Sequence, residues 1–238
     1  MNKITVLLAD DHPIVRSGLR ALIVTASDLE VIGEAADGRK AVRETLRLLP
    51  DVVLMDVAMP LLNGLEATRQ ILRGAPHMSV LILSTYSDDR RVEAALGAGA
   101  KGYLIKSTAG STVLDAIRDV HRGRPSFSPA ILQHLSNEWE HWDQNGRPRR
   151  RVVPALSCRQ AEVLQLVAEG FGSKEIAALL GITVKTVEKH RQSLMAKLDI
   201  HEISTLTRYA VATGIIELNA TPLRPASLPS DPLLTPVL

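Results

Sequence analysis

Five polar residues close apolar runs in the first half of this 238-residue chain, and their types suit phosphoryl chemistry. Asp10 and Asp11 follow Ile4–Ala9, and Asp56 follows Val52–Met55 between Pro50 and Pro60. Ser84 ends the run from Ser79, and Lys106 follows Tyr103–Ile105. Three carboxylates brought together repel, so one keeps its proton unless a cation joins them. An oxygen-rich, sulfur-free set of this kind suits Mg2+, which takes a few carboxylates and keeps several waters. With a lysine and a hydroxyl donor nearby, Asp56 can act as a nucleophile toward a phosphoryl group while the positive charges spread over its equatorial oxygens.

These residues meet only if the runs are neighbouring strands of one sheet. Short apolar runs bounded by turn residues read as strands buried on both faces. They alternate with helical patterns: strand Ile4–Ala9, helix Ile14–Thr25 with Pro13 at its first turn, strand Val31–Ala36 and a helix from Gly38 to near Leu49. Strand Val52–Asp56, helix Leu65–Arg73, strand Ser79–Ser84, helix Asp89–Ala98, strand Tyr103–Ile105 and a helix from Ser111 to about Arg122 complete the series. Five strands alternating with five helices predict an α/β fold, a five-stranded, doubly wound parallel sheet of flavodoxin-like order. All carboxyl ends then share one edge, with a crevice between the first and third strands. His12, beside the acid pair, is expected to cap the helix behind Pro13.

Composition narrows the class. Apolar residues make up 45% of the chain, enough for a sizeable core, and no apolar run reaches the ~20 residues of a membrane span. The first residues enter a strand without the basic-then-apolar pattern of a signal peptide, and Cys158 stands alone, which excludes an internal disulfide and a cysteine metal site. A cytoplasmic protein is expected. The net charge of +2 is uneven: residues 147–216 carry eleven Lys/Arg against six Asp/Glu, whereas residues 1–146 carry sixteen against eighteen. A basic second half points to nucleic acid.

In that half the alternation gives way to helical periodicity. Ser128-Pro129 opens a helix through Ile131, Leu132, Leu135 and Trp139, with Ser128 as its cap, and Asp143–Arg151 ends it with a basic cluster that reads as a solvated linker or, less readily, as a nucleic-acid arm. Ser157 caps a helix with Val163, Leu164 and Val167 on its apolar side, closed by Gly170. Ser173 opens a shorter helix closed by Gly181, and Thr183 caps a longer one from Val184 to about Leu198. On the longer helix Lys185, Glu188, Lys189 and Gln192 share one face, with Val187, Leu194 and Leu198 opposite. A short helix, a glycine turn and a second helix with a polar outer face describe a helix-turn-helix, here about 173–192.

Taken with their order, the acid pair, Asp56, Ser84 and Lys106 make residues 2–122 resemble the receiver domain of two-component response regulators. The resemblance implies that Asp56 accepts a phosphoryl group from a histidine kinase. It also implies direct Mg2+ ligation by Asp11, Asp56 and the main-chain carbonyl of Ala58, with Asp10 acting through water, and an inward-turning switch aromatic at Tyr103. Glu162-Val-Leu, Gly170, Lys174-Glu-Ile-Ala177, Thr186–His190, Lys197-Leu198 and Gly214-Ile215 resemble the LuxR-type helix-turn-helix. Together the two parts resemble the NarL/FixJ group. That implies a transcription regulator and not an enzyme: a phosphorylation-dependent homodimer that meets a double-stranded DNA operator through Ser173, Lys185, Thr186, Glu188, Lys189, His190 and Gln192. The expected domains are a receiver over 1–123, a linker with one helix over 124–154, a DNA-binding domain over 155–216 and a disordered tail over 217–238. The chief rival, an Asp-based phosphohydrolase, ordinarily needs a second Asp two residues after the nucleophile, where this chain has Ala58.

Overall fold

The computed structural model describes residues 3–108, 110–129, 131–132 and 156–216. In its first part β1 (Ile4–Ala9), α1 (Pro13–Val24), β2 (Leu29–Ala35), α2 (Gly38–Leu48) and β3 (Val52–Asp56) follow one another. Then come α3 (Gly64–Gly74), β4 (Ser79–Ser84), α4 (Asp89–Gly97), β5 (Gly102–Ile105), α5 (Gly110–His121) and β6 (Ser126–Phe127). The strands are parallel and lie in the order β2-β1-β3-β4-β5-β6, so the chain reverses direction across the sheet between β1 and β3.

Every residue of β3 and β4 is buried, as central strands covered on both faces must be. Their side chains divide with period two. Leu7, Val53, Met55, Val80, Ile82 and Tyr103 belong to the core that includes Ala67 and Ile71 of α3. Val6, Leu8, Val52, Leu54, Leu81, Leu83 and Leu104 join Ile23 of α1 and Val113 and Ile117 of α5 on the other face. Short side chains fix where the helices start. Asp37 accepts from the Lys40 amide at 2.7 Å, and Asn63 accepts from Glu66 at 3.0 Å, each satisfying an amide that a helix start leaves without a partner.

The sheet has six strands where five were predicted. Gly123–Pro129 reads as a loop, but Ser126 and Phe127 pair with Gly102 and Tyr103 of β5. Two residues are too few to show alternation, and their pairing is a backbone matter. Pro129 does begin a helical turn, with Ile131 and Leu132 donating to the Ser128 carbonyl at 2.9 and 3.1 Å. Ser128 itself is no side-chain cap: its hydroxyl is buried and without a hydrogen bond among the described residues. The remainder of that expected helix, the basic linker and the tail lie outside the described residues.

The second part is all helical: α6 (Cys158–Ala168), α7 (Ser173–Leu180), α8 (Val184–Leu198) and α9 (Ile203–Ala212). Ser157 and Gln160 form a reciprocal cap on α6. Ser173 opens α7 as expected, and the residue before it, Gly172, is the N-cap, its amide donating to Glu175 at 2.7 Å. Gly181 takes the left-handed conformation, φ 62°, that lets the chain turn directly into α8. Val163, Leu164, Leu166, Ile176, Val187, Leu194, Leu206 and Ala210 form a core separate from those of the sheet.

Candidate phosphoacceptor site and DNA-reading surface

Register brings the predicted residues together. Ala9 pairs with Met55, so Asp10 comes level with Asp56, and Asp56 pairs with Leu83, one residue before Ser84. Ser84 in turn pairs with Ile105, one residue before Lys106. The Lys106 ammonium lies 2.8 Å from Asp10 Oδ2 and 2.8 Å from Asp56 Oδ2. Asp10 and Asp56 are only 2% and 4% exposed, so this charge cluster is shielded from water.

Burial pushes the Asp56 carboxyl up to about 7; Lys106 pulls against this, and the Asp10 and Asp11 charges add to it. Burial disfavours the charged Lys106, but Asp56 and Asp10 outweigh it and hold the ammonium above the usual lysine range. The site thus carries more negative charge than one lysine balances. Oxygens of Asp10, Asp11 and Asp56, with a ring nitrogen of His12, lie within 4.8 Å of one another. Asp10 Oδ2 and Asp11 Oδ1 are buried, with Lys106 Nζ 2.8 Å from the first and His12 Nδ1 2.6 Å from the second. Three carboxylates gathered around a single ammonium fit a hard divalent cation, which prefers oxygen ligands.

His12 departs from its expected role. It occupies the start of α1 without a side-chain cap, and Nδ1 lies 2.6 Å from Asp11 Oδ1. Its amide donates to Asp10 Oδ1 at 2.9 Å, which helps fix that carboxylate. Ser84 is buried, and its hydroxyl accepts from the Tyr86 amide at 3.2 Å. Tyr103 is fully buried and donates to the Tyr86 carbonyl at 2.8 Å, with burial raising the phenol's pKa. Thr85 and Tyr86 therefore lie on the segment joining Ser84 to Tyr103, and Arg91 stacks 3.7 Å over the Tyr86 ring.

Ala58 falls in the loop from Val57 to Asn63, which leads from Asp56 to α3. Glycines make room for this loop: a Cβ on Gly64 would lie 1.9 Å from the Asp56 carbonyl oxygen, and one on Gly38 would lie 1.8 Å from that of Leu62. Sequence reasoning missed what lies on the loop's outer side. Gln165 and Glu169 of the helical part hydrogen-bond its backbone. Their spacing of four on a helix whose neighbouring positions are apolar is the signal that could have found them.

On α8, Lys185, Glu188, Lys189 and Gln192 are all exposed, and Val187 and Leu194 are buried opposite, as predicted. Thr186 Oγ1 lies 2.8 Å from Thr183 Oγ1, which accepts the Thr186 amide at 3.2 Å. Ser173 accepts from Arg191 at 2.9 Å, tying the start of α7 to α8, and His190 is half-buried.

A buried acid cluster with a lysine at the switch point of a parallel sheet, joined to a helix-turn-helix, defines a receiver that governs a DNA-reading module. Comparison with known proteins agrees part by part. Residues 6–118 match the response regulator receiver domain, and residues 154–210 match the bacterial regulatory proteins of the luxR family. The response regulator protein VraR of Staphylococcus aureus is 36% identical over 214 residues, 90% of this chain and 99% of VraR. RcsB of Salmonella typhimurium is 26% identical with a TM-score of 0.59, covering 90% of this chain and 99% of that one. A structure of two RcsB dimers bound to two parallel DNAs aligns with a TM-score of 0.56 at 26% identity, covering 89% and 99%. The chain belongs to the response regulators that join a receiver to a LuxR-type helix-turn-helix.

Proposed function

We propose that this protein is a transcription regulator switched by phosphorylation of Asp56, with residues 1–123 as the receiver and 155–216 as the DNA-binding domain. The observation that carries the reading is the buried meeting of Asp10, Asp56 and Lys106 at the sheet's switch point. Mg2+ held by Asp11, Asp56 and the Ala58 carbonyl, with Asp10 through water, would offset the carboxylate charge and that of an incoming phosphoryl group. The Asp56 carboxylate then forms the new O–P bond while the donor's bond to phosphorus breaks. Lys106 is positioned to meet charge on the transferred group, and the Ser84 hydroxyl to donate to it.

Ser84 shares the Tyr86 hinge with Tyr103, so a hydroxyl drawn toward a phosphoryl group changes the packing around both. That change biases the receiver's surface toward homodimer formation. The exposed stripe of α8 suits the major groove of a double-stranded operator: Lys189 for guanine, Gln192 for adenine, Glu188 for cytosine and Lys185 for phosphate. Ser173, at the start of α7, with Thr186 and His190 along α8, completes the proposed contacts. No helix of the described residues is long and apolar enough to cross a membrane. We place the protein in the cytoplasm with a sensor histidine kinase as donor. It receives a phosphoryl group and turns over no substrate.

The test is treatment with acetyl phosphate and Mg2+, read by intact mass, scattering mass and operator affinity. One added phosphoryl mass, absent with chelator and in Asp56→Asn, with a larger particle and tighter DNA binding, is the expected result. A phosphoryl mass that persists in Asp56→Asn would overturn the assignment.

A further inference from the structure

We infer that Gln165 and Glu169, two side chains of the DNA-binding domain, are positioning residues for the phosphoacceptor site, because they grip the loop that carries the Ala58 carbonyl. The inference rests on the proposed function of that site and adds residues from the other domain to it.

The loop is held at every second residue. Gln165, 1% exposed, donates through Nε2 to the Met59 carbonyl at 2.9 Å. Its Oε1 accepts the Asn63 amide at 2.7 Å and the Asn63 side chain at 3.3 Å. The second Nε2 hydrogen goes to Glu169 Oε1 at 2.7 Å, so all the amide's polar capacity is used in one orientation. Glu169 in turn accepts the Leu61 amide at 3.2 and 3.3 Å. Met59, Leu61 and Asn63 are thus fixed by one connected pair of side chains, and Asn63 is also the residue that starts α3.

The gripped segment is closed by the Gly64 amide donating to the Val57 carbonyl at 2.8 Å, yet it contains a strained residue. Leu61 has φ 66°, left-handed for a side chain that disfavours it, inside a three-residue turn closed by Leu62 N–H to the Pro60 carbonyl at 2.8 Å. That is the geometry of the rare and strained γ-turn. Such a conformation persists where its surroundings over-determine it. On the inner side Gly64 and Gly38 leave no free space; on the outer side the Leu61 side chain packs against the helical domain's core. Met59 directly follows Ala58, so its anchored carbonyl fixes the path of the peptide group that supplies the proposed metal ligand. Loosening the grip would therefore weaken cation binding. By thermodynamic reciprocity, cation binding would tighten the grip.

Other links between the two parts avoid the loop. Arg39 of α2 donates to the Leu179 carbonyl at 2.7 Å and lies 3.7 Å from Glu162, and Gln70 donates to Glu162 at 2.7 Å. They supply the control for docking without positioning.

Mg2+ is titrated calorimetrically into the unphosphorylated full-length protein, and amide exchange of Leu61 and Asn63 is followed alongside. Gln165→Ala should weaken Mg2+ about 5-fold, inside the roughly 2- to 30-fold range of couplings carried by contact networks. Both amides should lose protection in that variant. Glu169→Ala should act in the same direction, and it carries the test if Gln165→Ala fails to fold. Glu169→Gln keeps an acceptor for Leu61 and should restore wild-type affinity; Arg39→Ala should leave affinity unchanged. Equal weakening in Arg39→Ala would mean that docking alone matters and would overturn the assignment, as would unchanged or tighter Mg2+ binding in Gln165→Ala and Glu169→Ala. Wild-type protein that binds Mg2+ but takes no phosphoryl mass would strike the proposed function and leave the positioning result standing.

Discussion

Asp56 should limit the stability of the folded protein, and the limit should depend on pH. Burial holds its carboxyl near 7, against 3.8 for an unperturbed group. A difference of about three units at ~1.4 kcal/mol each amounts to about 4 kcal/mol. The folded-state pKa is the raised one, so the group's stabilising contribution is complete below pH 3.8 and is lost as pH rises to about 7. Asn cannot ionise, and Lys106 keeps Asp10 at 2.8 Å, so Asp56→Asn does not strand the ammonium. In chelator the variant should be more stable than wild type by about 2–4 kcal/mol at pH 8, with the advantage shrinking steadily toward pH 5. Urea unfolding of both proteins across that range, followed by far-ultraviolet circular dichroism, measures the difference. Excess Mg2+ at pH 8 should stabilise wild type and close the gap. A difference that stays flat with pH, or grows as pH falls, would refute the assignment of the raised carboxyl to Asp56.

Gly64→Ala should cost about 1–3 kcal/mol and cut phosphoryl uptake, because its Cβ would press on the Asp56 carbonyl; unfolding and intact mass check both. Tyr103→Phe deletes the donation to Tyr86 and should cost about 1 kcal/mol, with phosphoryl uptake kept and the scattering-mass response blunted. Lys185→Ala should weaken all DNA sequences alike and lower the salt slope by roughly 1. Lys189→Ala or Gln192→Ala should cost about 1–3 kcal/mol on the preferred site and relax one base pair in a selection on random DNA.

The sequence was most informative where chemistry and periodicity coincide. The limits of β1 and β4 are those expected from it, since each is an apolar run with a hard polar boundary. Asp10, Asp56 and Lys106 converge because parallel strands must share an edge. What could not be read depends on partners distant along the chain. Gln165 meets Asn63 across 102 positions and Met59 across 106, and its spacing of four from Glu169 marks a shared face without saying what that face meets. The pairing of Ser126 and Phe127 depends on an edge strand that only the assembled sheet provides. His12 was read for its place before Pro13, whereas its ring is drawn to the Asp11 charge.

The α8 stripe is open to solvent while the loop grip holds the two domains together. A docked chain can therefore touch DNA, so docking does not act by concealment. What it sets is direction, since a helix fixed to its receiver points wherever the receiver points. Two chains reading a symmetric operator must offer their stripes about one helical turn, some 34 Å, apart. A pair of receivers can bring rigidly mounted helices to that spacing or keep them from it, and the switch would then act as a caliper on paired sites while leaving contact with a single half-site almost untouched.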